Sequence, residues 1–530
     1  MKNPARWRKW SYVALMLVAI TLSGTLHAPL LEQRDAWSYK SATENFPPSL
    51  VLGTQMLGTF RGMLIVGLWL RASELQEQGR YYELVQLYEW IAELEPRFES
   101  VWSYSAWNQA YNISVAFPYN QEKERWRWVQ NGLSVIRDRG LKYNPRSYEL
   151  YRQLSWIYFH KVGGTSDESH RYYKREFAKT LHVILGGPEP DYARLAAAAE
   201  TVAELLADDA VAALVENAQD AGFDPLGRDI AWLNNDPAKL PEEVAPVFEA
   251  AKGTPALDAL DAFLRVRALR DDWGVEPALV VPLIEKYGPV DFRVPWAHAI
   301  YWATEGLKHV KPTENPQHCV RQIYSSFKEI FETGRLIYYP ESGEMYWTPD
   351  LRFVDVTNEA YRLKMIMGPN PGWKYWLRDA ITMVYGYGDH EKAAELYQEL
   401  QEVEPRPDYL PTVAEFVVAE IRKDLAENQF DQVRGYIRNY VRSAYFWLAA
   451  GAPDLSDGNL AMAKTLYIIY QQKAFGRFKL PPWEEFKKQV LDEVLDPERG
   501  LPSKRMRERL RRALKLPPEE EAAETPDEGE

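Results

Sequence analysis

One spacing recurs in this 530-residue chain and restricts the folds that it can adopt. A glycine in a predicted turn is followed, 17 residues later, by a proline, and apolar residues recur at helical intervals between the two. Gly388 and Pro405 bracket one such unit, and Gly79 and Pro96 bracket another. Glycine ends a helix because it adopts positive φ at little cost, and proline ends one because it lacks a backbone N–H. Each unit therefore predicts two antiparallel helices, the second of which lies between the glycine and the proline.

The residues inside these units resemble the tetratricopeptide (TPR) repeat. That family consists of helical hairpins with a glycine in the turn, a small residue followed by an aromatic residue in the second helix, and a closing proline. Ala393 and Tyr397 match the small and aromatic positions of the unit Lys374–Pro405. Trp102 and Ala106 match the tryptophan and small-residue positions of another unit.

The resemblance implies an all-α fold, a tetratricopeptide-like helical-hairpin solenoid. A single hairpin cannot bury its apolar side alone, so neighbouring hairpins stack. The resemblance covers residues 65–185 and 374–450, less than half of the chain. It carries no specific activity, since the family is a binding scaffold with many unrelated partners.

The N-terminal segment Trp10–Leu31 contains no charged residue. A membrane-spanning helix needs about 20 apolar residues, which this segment supplies. Basic residues precede it and the first acidic residue, Glu32, follows it, an arrangement that places the N-terminus in the cytoplasm. We therefore expect a single-pass signal anchor in a bacterial inner membrane, with the body on the extracytoplasmic, periplasmic side. The alternative is a cleaved signal peptide, but Pro29 follows the best small-residue cleavage site and disfavours cleavage there.

A second apolar segment, Val51–Leu70, contains Arg61 and four glycines. A charged residue near the centre of a span costs about 2.5–3.5 kcal/mol on insertion scales. We therefore expect this segment to form a helix that packs within the body of the protein rather than a second span.

These patterns predict a succession of regions along the chain. The middle of the chain lacks the glycine-to-proline unit but keeps helical periodicity, and Leu336–Phe353 interrupts that periodicity with prolines and a glycine. The predicted regions are a cytoplasmic basic N-terminus (1–9), the transmembrane signal anchor (10–31), a linker (32–59), an N-terminal tetratricopeptide-like array (60–187), an irregular helical middle region (188–335), an aromatic loop or hairpin (336–353), a C-terminal tetratricopeptide-like array (354–495), a basic helix (496–515) and a disordered acidic tail (516–530).

Composition and motifs argue against several classes of function. A net charge of −13 argues against general nucleic-acid binding. The single cysteine, Cys319, rules out an intramolecular disulfide and any CxxC-type zinc or redox site. The sequence contains no metalloprotease, nucleophile-elbow or phosphate-loop motif. We therefore predict a protein that is not an enzyme and has no metal and no cofactor.

Aromatic residues are concentrated between Trp102 and Trp128, where three interpretations are open. The i, i+4 relation of Trp107 to Tyr111 favours a buried seam, but the same residues fit a partner-binding groove or a surface that stacks on sugars or bases. In the family that the chain resembles, asparagines on the concave face clamp a peptide backbone. The candidate partner-binding residues are Asn108, Asn112, Tyr111, Arg125, Trp126 and Trp376.

The predicted function is a membrane-anchored scaffold that binds another protein or protein complex and contacts the lipid bilayer through its N-terminal helix. The alternative is a glycan-binding or glycan-processing α/α solenoid that uses the aromatic segment 336–353. Its acid and base candidates are Glu341, Glu344 and Asp350. The basic helix at Lys504–Lys515 fits docking on the acidic tail, on a partner or on lipid, but we expect a solvated terminal helix.

Overall fold

The computed structural model describes residues 60–234, 240–340, 343–362, 372–406, 410–423, 430–473, 479–497, 500–501 and 503–518. These residues are mostly helical, with one two-stranded sheet, in agreement with the predicted all-α class. The predicted anchor (10–31), the predicted linker (32–59) and Glu341 lie outside them. Within the described ranges, no helix is both long enough and apolar enough to span a bilayer.

The helices follow one another along the chain, and α3, α4 and α5 each continue into a π-helical turn. The first are α1 (Phe60–Glu77), α2 (Tyr81–Leu94), α3 (Glu99–Trp107, then π turn Asn108–Ile113 and Ser114–Ala116), α4 (Glu122–Ser134, then π turn Val135–Gly140 and Leu141–Tyr143) and α5 (Tyr148–Trp156, then π turn Ile157–Val162). Next come α6 (His170–Leu185), α7 (Tyr192–Ala196), α8 (Val202–Leu205), α9 (Asp209–Asp220), a 3-10 turn (Ala231–Asn234), α10 (Ala245–Ala251), α11 (Pro255–Trp273), α12 (Pro277–Tyr287), α13 (Pro295–Leu307) and α14 (Gln317–Thr333). The last are strands β1 (Arg335–Tyr339) and β2 (Glu344–Thr348), a 3-10 turn (Leu351–Phe353), α15 (Val354–Arg362), α16 (Trp373–Gly386), α17 (His390–Val403), α18 (Val413–Lys423), α19 (Phe430–Ala449), α20 (Pro453–Lys473), α21 (Trp483–Leu495) and α22 (Lys504–Ala513).

The chain divides into two compact units. Among the described residues, the N-terminal unit comprises 60–113 together with Asn131–Leu150, and the larger unit comprises Ser114–Gln130 and those from Tyr151 onward. The region boundaries that the sequence predicts at 187, 335 and 353 stay predictions.

The glycine-to-proline units form the helical hairpins that their spacing predicts. Gly79 separates α1 from α2, and Gly388 separates α16 from α17, with φ values of 69° and 93°. In each hairpin the second helix ends just before the proline, Pro96 or Pro405. The two helices of each pair contact each other. Membership of the tetratricopeptide family stays a prediction.

Small residues allow two segments of the N-terminal unit to approach closely. A Cβ atom at Gly132 would lie 2.7 Å from the carbonyl oxygen of Ala106 and 3.0 Å from the Cβ of Ala110. Nearby, the indole N–H of Trp102 and the side-chain amide of Asn144 both donate to the carbonyl of Pro96, each at 2.8 Å. The tryptophan and the small residue of the repeat pattern are therefore both interior residues in this unit.

The segment 336–353 contains an antiparallel hairpin, in which Leu336 pairs with Trp347 and Tyr338 pairs with Met345. The basic helix α22 packs beside it in the larger unit and is not the solvated terminal helix that we expected. Met506 and Leu510 of α22 are fully buried, as the apolar side of an amphipathic helix requires.

The contact between α22 and the hairpin also has a polar part. The guanidinium of Arg509 lies 3.6 Å from the ring centroid of Tyr339 and forms an ion pair with Glu344. The hydroxyl of Ser503 donates to the same carboxylate at 2.6 Å. The charge of the helix is thus partly neutralised within the chain.

Glu404, at the end of α17, forms ion pairs with α16 and with its own loop. Its carboxylate accepts hydrogen bonds from Arg378 at 2.9 Å, Arg406 at 2.8 Å and Lys374 at 3.0 Å. Arg378 also donates to Glu420 of α18 at 2.8 Å. These cations, Arg378 above all, lower the pKa of Glu404 to about 2.

We predict that Glu404→Gln lowers the stability of the protein by about 1 kcal/mol at neutral pH, because a network of ion pairs loses its shared carboxylate. The folded-state pKa is depressed, so this contribution is present above about pH 4.5 and is lost as the pH falls toward 2. Thermal unfolding of the full-length wild-type and variant chains should show a difference in Tm at pH 7 that disappears near pH 2. An equal difference at both pH values would contradict the assignment.

Candidate functional site

Exposed apolar side chains are concentrated in the N-terminal unit. Elsewhere in the described chain, large apolar residues with this exposure are fewer and, apart from the neighbours Val115 and Tyr119, are far apart in the sequence: Val202, Tyr375, Tyr436 and Ile468. Single exposed apolar residues are normal, whereas a cluster marks an interaction surface. The exposed large apolar residues of the N-terminal unit are Met63, Leu64, Val66, Leu70, Tyr82, Trp90, Phe98, Tyr104 and Trp107.

Five aromatic residues of this unit form a surface that we call the aromatic face: Trp69, Phe98, Tyr104, Trp107 and Tyr111. The ring of Trp69 lies 5.5 Å from Phe98 and 5.6 Å from Tyr104. Trp107 stacks on Tyr111 at 5.7 Å. Tyr104 and Trp107 lie three residues apart on α3 and so share one side of it, and the stacking of Trp107 on Tyr111 continues this row into the π turn.

The interior side of α3 is already occupied, which explains why this aromatic row faces outward. Trp102 and Ala106 are buried, whereas Tyr104 is 49% and Trp107 39% exposed. The spacing of Trp107 and Tyr111 favoured a buried seam, and for Trp107 that interpretation is wrong. Spacing reveals which residues share a side of a helix but not whether that side faces the core.

Tyr88 of α2 forms the floor of the aromatic face. Its ring lies 6.0 Å from that of Trp69, and the residue is buried. Burial, with a smaller contribution from Tyr104, raises the pKa of Tyr88 to about 12. Tyr88 therefore stays neutral at physiological pH and adds no charge to this surface.

Asn108 and Asn112, the predicted peptide clamp, form a hydrogen-bonded pair. The side-chain N–H of Asn112 donates to Oδ1 of Asn108 at 2.9 Å, and Nδ2 of Asn108 approaches the carbonyl of Tyr81 at 3.4 Å. Asn108 is 2% exposed, whereas Asn112 and Tyr111 are half-buried. Of these three predicted residues, Asn112 and Tyr111 are therefore the two with surface that a partner could reach.

The π turn at Asn108–Ile113 changes which residues of this segment face the interior. A π turn forms i→i+5 hydrogen bonds and so contains more residues than an α-helical turn, and such insertions are frequent at functional sites. Asn108, Gln109, Ala110 and Ile113 point inward from this turn. Sequence reasoning assumed uniform α-helical periodicity, and the sequence contains no proline or glycine here that would have signalled the change.

Arg125 and Trp126 belong to the larger unit and are buried there. Arg125 contacts Asp167 at 3.6 Å and donates to the hydroxyl of Ser169 at 3.2 Å. Trp126 stacks on Tyr173 with ring centroids 5.6 Å apart. Neither side chain lines a groove; their predicted role in partner binding would require this part of the unit to open.

Asp167 is the centre of the buried ion cluster. Lys161 lies 2.5 Å from Oδ2, and the backbone N–H of Ser169 donates to Oδ1 at 2.9 Å. Burial by itself raises the pKa of Asp167, but Lys161 and the Ser169 N–H outweigh it, so the pKa of this carboxyl is below its usual value. Burial lowers the pKa of Lys161. The cluster thus holds three charged side chains that depend on one another.

Trp376, the candidate on the second array, is a core residue of the larger unit. It stacks on Tyr361 at 5.3 Å and lies 5.8 Å from Phe331. Its exposed fraction is only 3%. The three rings join α14, α15 and α16.

The carboxylates of the alternative glycan site already have partners. Glu344 is paired with Arg509, and Asp350 is buried and accepts two hydrogen bonds from the guanidinium of Arg352, at 2.8 and 2.7 Å. A glycosidase directs its acid and base carboxylates at the sugar, whereas both of these carboxylates are held by arginines of the same chain. Neither contact favours glycan hydrolysis.

In the described ranges, no group of three or more His, Cys, Asp or Glu side chains is arranged to hold a metal ion. Comparison with family models, with curated proteins and with solved structures finds no match to this chain. Inferences about function therefore rest on the aromatic face and on its chemistry.

We predict that Asp167→Asn destabilises the protein by about 3–5 kcal/mol, because Lys161 and Arg125 would remain buried without their carboxylate. Glu168→Gln is the matched control, since Glu168 is largely exposed and contacts the same arginine at 3.4 Å; its effect should be less than about 1 kcal/mol. Urea unfolding of the full-length chains measures both. If the two variants are equally stable, the buried cluster does not support this region.

Proposed function

We propose that this protein is a non-enzymatic helical scaffold of the tetratricopeptide type that binds another protein through its aromatic face. The segment Trp10–Leu31 anchors the scaffold in a bacterial inner membrane, and the body lies on the extracytoplasmic side. The observation that carries the proposal is the concentration of exposed aromatic residues on α3 and its neighbours.

The composition of the aromatic face fits a protein partner. Tryptophan and tyrosine are enriched among the energetic hot spots of protein interfaces, because they combine a large apolar area with a polar atom at the edge. Tyr104 and Trp107 have this character, and the half-buried Asn112 follows in the adjoining π turn. A partner segment that covers the two rings buries their apolar area, and its polar groups can form hydrogen bonds with the Tyr104 hydroxyl and the Trp107 indole N–H.

An aliphatic residue of α1 adds to the apolar surface beside Trp69. Val66 is exposed and lies three residues before Trp69, so the two share one side of this helix. An apolar segment of a partner, such as one side of an amphipathic helix, fits such a surface. Lipid and a second copy of this chain are the competing occupants, and the experiment below separates them.

The occupant is identified by photo-cross-linking of the full-length protein in its native membrane. p-Benzoylphenylalanine replaces Trp107 in one sample and Tyr375, an exposed aromatic residue of the larger unit, in the control. We expect an adduct with one other protein from position 107 and none from position 375. Adducts with lipid alone, or with a second copy of this chain, would contradict the proposal.

We predict that Trp107→Ala weakens binding of the partner identified in this way by roughly 30-fold or more, as expected for a hot-spot residue worth about 2 kcal/mol. Tyr375→Ala should leave the affinity unchanged. Binding is measured with the purified partner and the full-length chain in nanodiscs, and circular dichroism verifies that each variant is folded. Unchanged affinity of a folded Trp107→Ala protein would show that the aromatic face is not the binding site.

A further inference from the structure

The larger unit contains a cavity of about 550 Å³. It is bordered by the chain before α7, the end of α12, the loops that flank the β-hairpin and the start of α20. Sites for small ligands commonly have volumes of roughly 300–1,000 Å³, are mostly apolar and contain a few charged groups. Much of this lining is apolar and includes the four prolines Pro188, Pro190, Pro289 and Pro349.

Three of the charged lining residues are arginines, and each is already paired with a carboxylate of the same cavity. Asp291 accepts two hydrogen bonds from Arg293, with Nε at 3.0 Å and Nη2 at 2.7 Å. Asp350 holds Arg352 by the same two-point contact. The third pair joins Arg335 to Asp454 at 2.5 Å.

The lining contains a fourth carboxylate, Glu189, in addition to the three that are paired with arginines. Glu189 is exposed and forms no ion pair with the residues that the structure describes. Together with Asp291 it adds to the field that raises the pKa of Arg352, although the hydrogen bond from Arg352 to Asp350 is the main cause. Three guanidinium groups and four carboxylates leave the cavity with one uncompensated negative charge.

The innermost arginine is not available for an anionic ligand. Arg293 is 3% exposed and, besides Asp291, donates to the carbonyl of Leu336 at 3.1 Å and contacts Nδ1 of His182 at 3.2 Å. Because an arginine side chain only donates, His182 presents an unprotonated Nδ1 to it. The guanidinium is therefore held by protein acceptors on several sides.

Tyr192 supplies an uncharged aromatic wall. It is largely buried, lies 5.7 Å from the ring of Phe292, and its hydroxyl has no hydrogen-bond partner. Burial raises the pKa of Tyr192, and Asp291 raises it further, so the phenol remains protonated and adds no charge. An aromatic ring beside unpaired negative charge favours a cation over an anion of the same size.

We propose that this cavity binds an organic cation, namely an ammonium or guanidinium group on an apolar stem, with Glu189 as its counter-ion and the prolines and Tyr192 around the stem. The inference goes beyond the proposed function, because the cavity lies in the larger unit and does not involve the aromatic face. The same chemistry is supplied by a free small amine and by a lysine or arginine side chain of another protein.

The test compares three probes of nearly equal size and different charge by calorimetric titration of the full-length chain in nanodiscs. The cation is phenethylammonium, the neutral analogue is 2-phenylethanol, and the anion is 3-phenylpropanoate. We expect saturable one-to-one binding of the cation, with the neutral and anionic probes at least tenfold weaker. Equal binding of all three probes, tighter binding of the anion, or no binding of the cation would overturn the proposal.

Variants locate the site. Glu189→Gln should weaken phenethylammonium binding by about tenfold, because it removes the uncompensated charge, and Glu216→Gln, an exposed acidic residue of α9 outside the cavity, should have no effect. An unchanged affinity of Glu189→Gln, or an equal loss in both variants, would also overturn the assignment. Tyr192→Phe keeps the aromatic wall and should bind the cation as well as the wild type.

Two further probes distinguish the sources of the cation. n-Butylammonium represents a free amine, and an N-acetylated, C-amidated Gly-Lys-Gly peptide represents a side chain of another protein. Preference for either one supports the site and identifies its source. If neither probe competes with phenethylammonium, the cavity does not bind ammonium groups on apolar stems in general, and that result would contradict the proposal.

Discussion

The need to cover the apolar sides of helices governs each unit of this protein. A two-helix hairpin buries only part of its apolar surface, so the remainder must be covered by neighbouring elements or by another molecule. In the larger unit, Trp376 is covered by Phe331 and Tyr361 from adjacent helices. In the N-terminal unit, Trp102 and Ala106 fill the core side of α3, while Tyr104 and Trp107 remain exposed. This difference is the physical basis for the binding surface that we propose on the N-terminal unit.

Several charged residues are part of the interior of the larger unit. Arg125, Lys161 and Asp167 form a buried cluster, and isolated charges are unstable at such depth unless they are paired. The cavity beside the hairpin follows the same rule, since its three arginines each have a carboxylate partner. Glu189 is the exception. A ligand of opposite charge can neutralise an uncompensated charge in a concave, mostly apolar site.

Local sequence signals predicted the hairpins, because the conformational preferences of Gly79, Gly388, Pro96 and Pro405 do not depend on distant contacts. Orientation and burial were harder to predict. The π turn at Asn108–Ile113 has no local signal in the sequence, and it places Asn108 inside. The aromatic row on α3 was recognised, but whether it faces the core depends on residues elsewhere in the fold. The cavity was not foreseen, since its lining comes from segments between 188 and 455 that only tertiary structure brings together.

The central claim, that a protein covers the aromatic face, is tested most directly by hydroxyl-radical footprinting of the full-length chain in two settings. One is the native membrane, and the other is a nanodisc that contains the purified chain with lipids from the same membrane. The account predicts that Tyr104 and Trp107 are oxidised several-fold less in the native membrane than in the nanodisc, whereas Tyr375 is oxidised equally in both. Equal oxidation of Tyr104 and Trp107 in the two settings would contradict it.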